Sequence, residues 1–180
     1  MNNGSKASTR TKQILKAMYI LAWVVFICVM IQAGALLLSY FVSCINPVAS
    51  KNLYSGLDMY QLRQINFRYY TIAVSLMIAL LCIKAFVTFL VIKVMSKVNM
   101  ENPFTIRIAR LLEKISYGLL GAAILALLQN AHTTWLFNKT GIIQEKWALG
   151  QCLVMAALVF IISQVFKRGV EIQSENDLTV

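Results

Sequence analysis

Few side chains in this sequence are suited to catalysis or metal binding. His132 is the only histidine, and the four cysteines (Cys28, Cys44, Cys82 and Cys152) form no CxxC or CxxH pair. That pattern favours neither a zinc site nor a disulfide framework. The chain also lacks the HExxH, GxSxG, P-loop and GxGxxG motifs. The sequence therefore predicts no catalytic residues, no metal and no cofactor, and we expect a protein that is not an enzyme.

Lys84 is the one charged side chain inside a long apolar run, between Tyr69 and Ile92. A lysine at the centre of a bilayer costs about 2.5–3.5 kcal/mol, so it should face other helices, a hydrated cavity or, by snorkelling, the interface. The apolar runs contain no Asp or Glu, the residues that cation and proton carriers use along their paths. Lys84 is therefore either part of an anion or lipid-headgroup site or a snorkelling side chain.

The composition excludes a water-soluble fold. Of 180 residues, 59% are hydrophobic and 13% are charged, whereas a soluble domain is about 45–50% apolar and about 25% charged. Too little polar surface is available to cover a core, and the same excess of apolar residues excludes intrinsic disorder.

Four apolar stretches are long enough to cross a bilayer, which takes about 20 residues of helix. They cover residues 17–44, 69–92, 115–137 and 147–166. The sequence therefore predicts an all-α fold, a single integral-membrane four-helix bundle over residues 1–180. The other predicted parts are an external loop (45–68), a cytoplasmic loop (93–114) and a cytoplasmic tail (167–180).

Lysine and arginine are unequally distributed between the two sides of these spans. Eleven lie beside the ends that include both termini and the 93–114 loop, five lie beside the opposite ends, and Lys84 lies between. Because cytoplasmic loops carry the excess of Lys and Arg, both termini are predicted to be cytoplasmic. Topology thus accounts for the formal charge of +10, and no direct contact with nucleic acid is expected.

The 93–114 loop contains a predicted amphipathic helix. Asn102 suits the N-cap and Pro103 the first turn. Apolar residues then recur at helical spacing while cations occupy another face, the two sets being Phe104, Ile108, Leu111, Leu112 and Ile115, and Arg107, Arg110 and Lys114. This pattern predicts a helix at the inner membrane surface before the third span. It is held there by anionic lipid headgroups, or it docks a protein partner.

The tail changes from basic to acidic within a few residues. Lys167 and Arg168 follow the fourth span, and Gly169 is a candidate helix terminus. Glu171, Glu175 and Asp177 are then expected to meet the basic N-terminus or the Arg107 and Arg110 face.

A stripe of small residues in the third span permits close helix approach. Its members, at four-residue spacing, are Gly118, Ala122 and Ala126. The stripe serves either contacts within the bundle or a homo-oligomer, and the sequence leaves both open.

Two short segments resemble a known family. They are Asn102-Pro103-Phe104-Thr105 with the following Arg107 and Arg110, and Phe166-Lys167-Arg168-Gly169 with the ending ENDLTV at 175–180. They are similar to those of the bacterial four-span membrane proteins called domain of unknown function two-nine-seven-five. The resemblance implies no established activity. Genes of that family often neighbour one for a small Cro/CI-type helix-turn-helix regulator, which implies a membrane-tethered control role.

Together these features favour a non-enzymatic, multi-pass protein of the bacterial cytoplasmic membrane that regulates or interacts through its cytoplasmic face. Apart from the bilayer, the partner implied by the resemblance is the helix-turn-helix regulator. The residues expected to bind it are Asn102, Pro103, Phe104, Thr105, Arg107, Arg110, Glu175 and Asp177. The alternative is a small-molecule or lipid-binding sensor or permease component that uses Lys84.

Overall fold

The chain folds into helices joined by short connections. The computed structural model describes residues 3–98 and 104–177, with side chains for 13–98 and 104–175. In chain order the elements are α1 (Asn3–Ile45), a 3-10 turn (Pro47–Lys51), α2 (Tyr60–Ile65), α3 (Phe67–Lys97), α4 (Ile106–Thr140) and α5 (Leu149–Asp177). Within the described ranges there is no β-strand. The predicted all-helical class is confirmed.

Four of these helices are long and apolar enough to cross a membrane. Even the 29-residue α5 measures about 43 Å at 1.5 Å per residue, more than the hydrocarbon thickness of about 30 Å. Each helix extends beyond its predicted span, except that α5 begins two residues after residue 147. Continuous helices are favoured because a backbone in lipid must satisfy its hydrogen bonds internally.

The helix that was expected to lie at the membrane surface before the third span is not a separate element. The chain is helical without interruption from Ile106 to Thr140, so this segment forms the first turns of α4. No glycine or proline occurs between Ile106 and Tyr117, so nothing in the sequence breaks the helix there. A C-terminal cap does occur at the other end, where Gly141 adopts a left-handed conformation with φ of 71°.

The long helices pack in an open row. Helix α1 packs on α3, α3 on α4 and α4 on α5, and among the described residues α1 has no comparable packing against α4 or α5. The predicted bundle is therefore present in a form whose first and last helices, as far as the structure describes them, do not pack on each other. The long helices end on two opposite sides, the basic end and the loop end. The basic end holds Lys93, Lys97, Arg107, Arg110, Lys114 and Lys167, and the loop end holds residues 46–66 and 141–148.

The outer helices of the row each bury a single stripe. Along α1 the less exposed residues recur at alternating spacings of four and three, as Leu15, Tyr19, Ala22, Phe26, Val29, Ala33, Leu36, Tyr40 and Ser43. The same alternation in α5 gives Cys152, Ala156, Val159, Ser163, Phe166 and Val170. A 3.5-residue repeat is the signature of helices that pack with a small left-handed crossing angle. Among the described residues each edge helix therefore packs on one other long helix and leaves a wide apolar surface for lipid.

The densest core lies at the loop end. Tyr70 is fully buried, and Leu53 and Leu62 from the connecting segment are each 1% exposed. The Tyr70 hydroxyl shares a hydrogen bond with Ser43 of α1, which in turn donates to the Tyr40 carbonyl. The residues between α1 and α3 therefore fold back as a cap over this end of the helices.

The stripe of small residues in α4 serves packing within the chain. Ala122 and Ala126 are buried, and a Cβ at Gly118 would lie 2.7 Å from Val87 Cγ2 on α3. Separations this short are not tolerated, so the absence of a side chain at Gly118 sets how closely α3 and α4 approach.

Replacing Gly118 by alanine should therefore destabilise the fold. Valine is β-branched and cannot rotate away freely, so we expect a loss of about 1–3 kcal/mol. Thermal unfolding in detergent, followed by circular dichroism, measures it.

The matched control is Gly34→Ala in α1, because nothing lies within 4 Å of its Cβ position. It should not lower the unfolding midpoint, and Gly118→Ala/Val87→Ala should recover most of the loss. Equal midpoints for Gly118→Ala and Gly34→Ala would refute this account of the interface.

Candidate interaction surface at the basic end

The start of α4 is built around Thr105. Its backbone is extended and its hydroxyl accepts a hydrogen bond from the Ile108 amide at 3.4 Å, so Thr105 is the N-cap of α4. The sequence had suggested Asn102 as the cap and Pro103 in the first turn, but the helix begins at Ile106. Asn102 and Pro103 themselves lie outside the described residues.

The first turns of α4 separate apolar from basic side chains. Ile108 is 1% exposed and Ala109 is fully buried, whereas Arg107 and Arg110 are exposed. Among the described residues neither guanidinium forms an ion pair. The two arginines that the sequence singled out are therefore available to a partner.

Phe104 is directed at α5. Its ring lies 5.2 Å from the ring of Phe166, centroid to centroid. A Cβ at Gly169 would approach Phe104 Cδ1 to 2.7 Å. The sequence predicts that Gly169 ends the helix, but α5 continues past it to Asp177. Gly169 lies within the helix and leaves room for the aromatic ring, which remains partly exposed at its outer edge.

An ion pair also joins α4 and α5, farther along α4 from its first residue. Lys167 Nζ lies 3.0 Å from Glu113 Oε1, with both side chains less than one-third exposed. The Tyr117 hydroxyl also donates to Glu113, at 3.4 Å. Together with the Phe104 contact, this pair holds the start of α4 against the end of α5. The described parts of the two segments that carry the family resemblance, from Phe104 onward and around Gly169, therefore form one surface.

One acidic residue of the tail, Glu171, is arranged differently from the sequence prediction. Helix α5 continues to Asp177, and Glu171 pairs with Arg168 of its own helix at 2.8 Å, an exposed pair. The predicted contact of Glu171 with Arg107 or Arg110 is therefore not formed. Glu175 is exposed, and the side chain of Asp177 lies outside the described ones. The reason is local, because a carboxylate three residues from an arginine on a helix meets it without any folding back of the chain.

Lys84 lies on an exposed side of α3, where its carbonyl accepts a hydrogen bond from Thr88. Three clefts at the loop end do not include it. A lipid-facing lysine can extend its ammonium toward the interface, so this placement favours the snorkelling interpretation over an enclosed anion site.

Polar groups in the loop-end half of α4 hold the turn into α5. The Asn130 side chain accepts from the Trp147 amide at 2.7 Å and donates to the Trp147 carbonyl at 3.0 Å. Gln129 is fully buried and donates to Thr133. Asn130 thus binds the backbone of a residue 17 positions further along the chain, a partner that no pattern in the sequence identifies.

The loop end also holds an open cleft that sequence reasoning did not find. It has a volume of about 660 Å³ and lies between α2 and the residues after α4, with Tyr60, Gln64, Ile65 and Ile143 among its lining. None of its lining residues is charged. In the described part of the chain no three His, Cys, Asp or Glu side chains are grouped as metal ligands, and the cysteines are free thiols.

The fold and this surface define an all-helical, multi-pass membrane protein with a basic end assembled from two helix termini. Residues 5–180 match the model of the family described as "Protein of unknown function (DUF2975)", and the chain belongs to that family. This confirms the resemblance carried by the two segments that meet at the basic end. No curated protein and no solved structure matches the chain significantly.

The ion pair between α4 and α5 can be tested by exchanging its charges. Glu113→Lys should lower the thermal midpoint in detergent because it places two ammonium groups together in a partly shielded site, a loss of about 1 kcal/mol or more. The double variant Glu113→Lys/Lys167→Glu should regain most of it.

The control is Glu171→Lys, which reverses the exposed partner of Arg168. Exposed pairs contribute about 0–1 kcal/mol, so its effect should be small. A double variant as unstable as Glu113→Lys alone would show that the pair does not hold the helices together.

Proposed function

We propose that this protein is a membrane-tethered interaction protein that binds a regulatory partner through its basic end. The observation that carries the proposal is the joining of Phe104 to Gly169 and of Glu113 to Lys167. These contacts build one surface from two helix termini and leave Arg107 and Arg110 exposed. A rigid scaffold that presents exposed cations is suited to an acidic protein surface.

The basic end is proposed to face the cytoplasm of a bacterium, with the protein in the inner membrane. The eleven cations on that side are those of the N-terminal segment, the end of α3, the start of α4 and the end of α5. Tyr69 and Trp135, in edge contact at 5.0 Å, lie toward the loop end, as expected of residues at a membrane interface.

The proposed partner is a small helix-turn-helix regulator, as implied by the family resemblance. Contact with DNA would then be made by the regulator, while this chain would hold the regulator at the membrane. No part of this role needs a catalytic group. The alternative role for Lys84, in a small-molecule or lipid-binding sensor or permease component, has less support because the lysine is exposed and lines none of the three clefts at the loop end.

The proposed orientation predicts where reporter domains are active. Green fluorescent protein fused after Val180 should fluoresce, because it would remain in the cytoplasm, and alkaline phosphatase fused after Gly141 should be active, because it would be exported. Exchanging the two reporters supplies the control. The opposite pattern of activities would place the basic end outside and remove the basis for a cytoplasmic partner.

The partner proposal predicts a loss of binding on charge reversal at the arginines. The protein, co-expressed with a small Cro/CI-type helix-turn-helix regulator of the kind implied by the family resemblance and purified in detergent, should retain the regulator. Arg107→Glu/Arg110→Glu should weaken retention by about tenfold or more, since like charges at an interface repel.

The matched control is Lys139→Glu/Lys146→Glu, which makes the same change in charge at the loop end. It should leave binding intact. Equal recovery of the regulator by all three proteins would refute a role for the arginines, and no recovery by the wild-type protein would refute this choice of partner.

A further inference from the structure

A second set of cations lies along the groove between α3 and α4, and the register of these helices places them together. The fixed point is Gly118, whose Cβ position lies 3.9 Å from Phe86 Cδ1 and closer still to Val87. On α3, Lys93 and Lys97 follow Phe86 by seven and eleven residues. On α4, Lys114 and Arg107 precede Gly118 by four and eleven residues. Separations of four, seven and eleven residues return to the same helix face.

These four cations therefore lie on the same helix faces as Phe86 and Gly118. Because α3 and α4 are antiparallel, the two lysines of α3 and the two cations of α4 all lie between the contact of Phe86 with Gly118 and the basic end. At 1.5 Å per residue, the distance from that contact along the helix axis is about 6 Å for Lys114, about 10 Å for Lys93, and about 16 Å for both Lys97 and Arg107. This group, Lys93, Lys97, Lys114 and Arg107, is called the seam cluster.

In the described part of the chain no carboxylate forms an ion pair with a cation of the seam cluster. The nearest acidic residue on α4, Glu113, is paired with Lys167 on the α5 side. Three of the four cations are exposed and Lys93 is half-buried. Like charges held together on a rigid pair of helices repel, and an anion bound among them removes that repulsion.

The surface beside the cluster is aromatic and apolar. Lys93 Nζ lies 4.4 Å from the centre of the Phe89 ring. That ring in turn contacts Phe26 of α1, and Phe26 contacts Trp23. Phe86 and Phe89 are 51% and 37% exposed on the membrane-spanning part of α3. An occupant of this place therefore meets cations at one end and an apolar surface at the other.

We propose that the seam cluster and the adjoining Phe86 and Phe89 rings bind one anionic phospholipid. The headgroup phosphate lies among the seam cations, and the acyl chains lie against the rings. A soluble anion would use only the cationic half of this surface, so the apolar half favours a lipid. The site does not depend on the proposed protein partner, although Arg107 borders both surfaces.

Trp23 provides a local probe, because it contacts the ring that contacts Phe89, whereas Trp135 and Trp147 lie toward the loop end. A Trp135→Phe/Trp147→Phe protein would be reconstituted in phosphatidylcholine vesicles. Two vesicle preparations would be compared. One contains a small fraction of phosphatidylglycerol with brominated acyl chains, and the other contains the same fraction of brominated phosphatidylcholine. Bromine quenches tryptophan fluorescence at close range.

Brominated phosphatidylglycerol should quench Trp23 more strongly than the same fraction of brominated phosphatidylcholine. This excess should be lost in the Lys93→Gln/Lys97→Gln/Lys114→Gln variant. It should persist in Lys51→Gln/Lys139→Gln/Lys146→Gln, which loses the same charge at the loop end. Thermal unfolding of both variants would show that each still folds.

Three results would overturn the proposal. Equal quenching by the two brominated lipids would show that no anionic lipid is selected. Loss of the excess in both triple variants would assign it to net charge alone. Relief of the excess by inorganic phosphate, at an ionic strength matched with chloride, would assign the cluster to a soluble anion. Because the regulator is absent from these vesicles, none of these outcomes bears on the protein partner.

Discussion

The contact between α3 and α4 is the interaction on which the rest of the structure depends. In an open row, α1 is held through α3 and α5 is held through α4, so the central pair connects two otherwise separate halves. The absence of a side chain at Gly118 sets the separation of that pair beside Val87. Helix association in a bilayer gains little from the hydrophobic effect and relies on close packing. A single glycine at the centre therefore has a large structural effect.

The basic end illustrates how a surface can arise where helices end. Phe104 precedes α4, and Gly169 lies near the end of α5, yet the ring of one occupies the space left by the other. Glu113 and Lys167, 54 residues apart in the chain, form an ion pair that holds α4 against α5 farther from the start of α4. Cations not used in these contacts remain exposed on both α3 and α4, where they serve the proposed partner surface and the proposed lipid site.

The sequence predicted the helices better than it predicted their neighbours. Long charge-free runs identify membrane helices because a bilayer excludes charge, and this reasoning also separated the basic and loop ends. A buried stripe such as that of α5 shows that one face is covered, but not by which helix. Gly169 was interpreted as a helix terminus because glycine commonly follows a helix. Its role is to leave room for the Phe104 ring. The sequence does not reveal this contact, because Phe104 is distant in the chain and is itself expected to bind a partner. The Thr105 cap was missed because Asn102 has the stronger capping preference.

The open row has a consequence for how the protein is made. Each long helix after α1 packs on the long helix that was synthesised just before it. The buried stripe of a helix is therefore covered, at the latest, when the next long helix of the chain has been made. Insertion and packing can therefore proceed together as the ribosome advances, with contacts that are local in the chain and consequently fast to form.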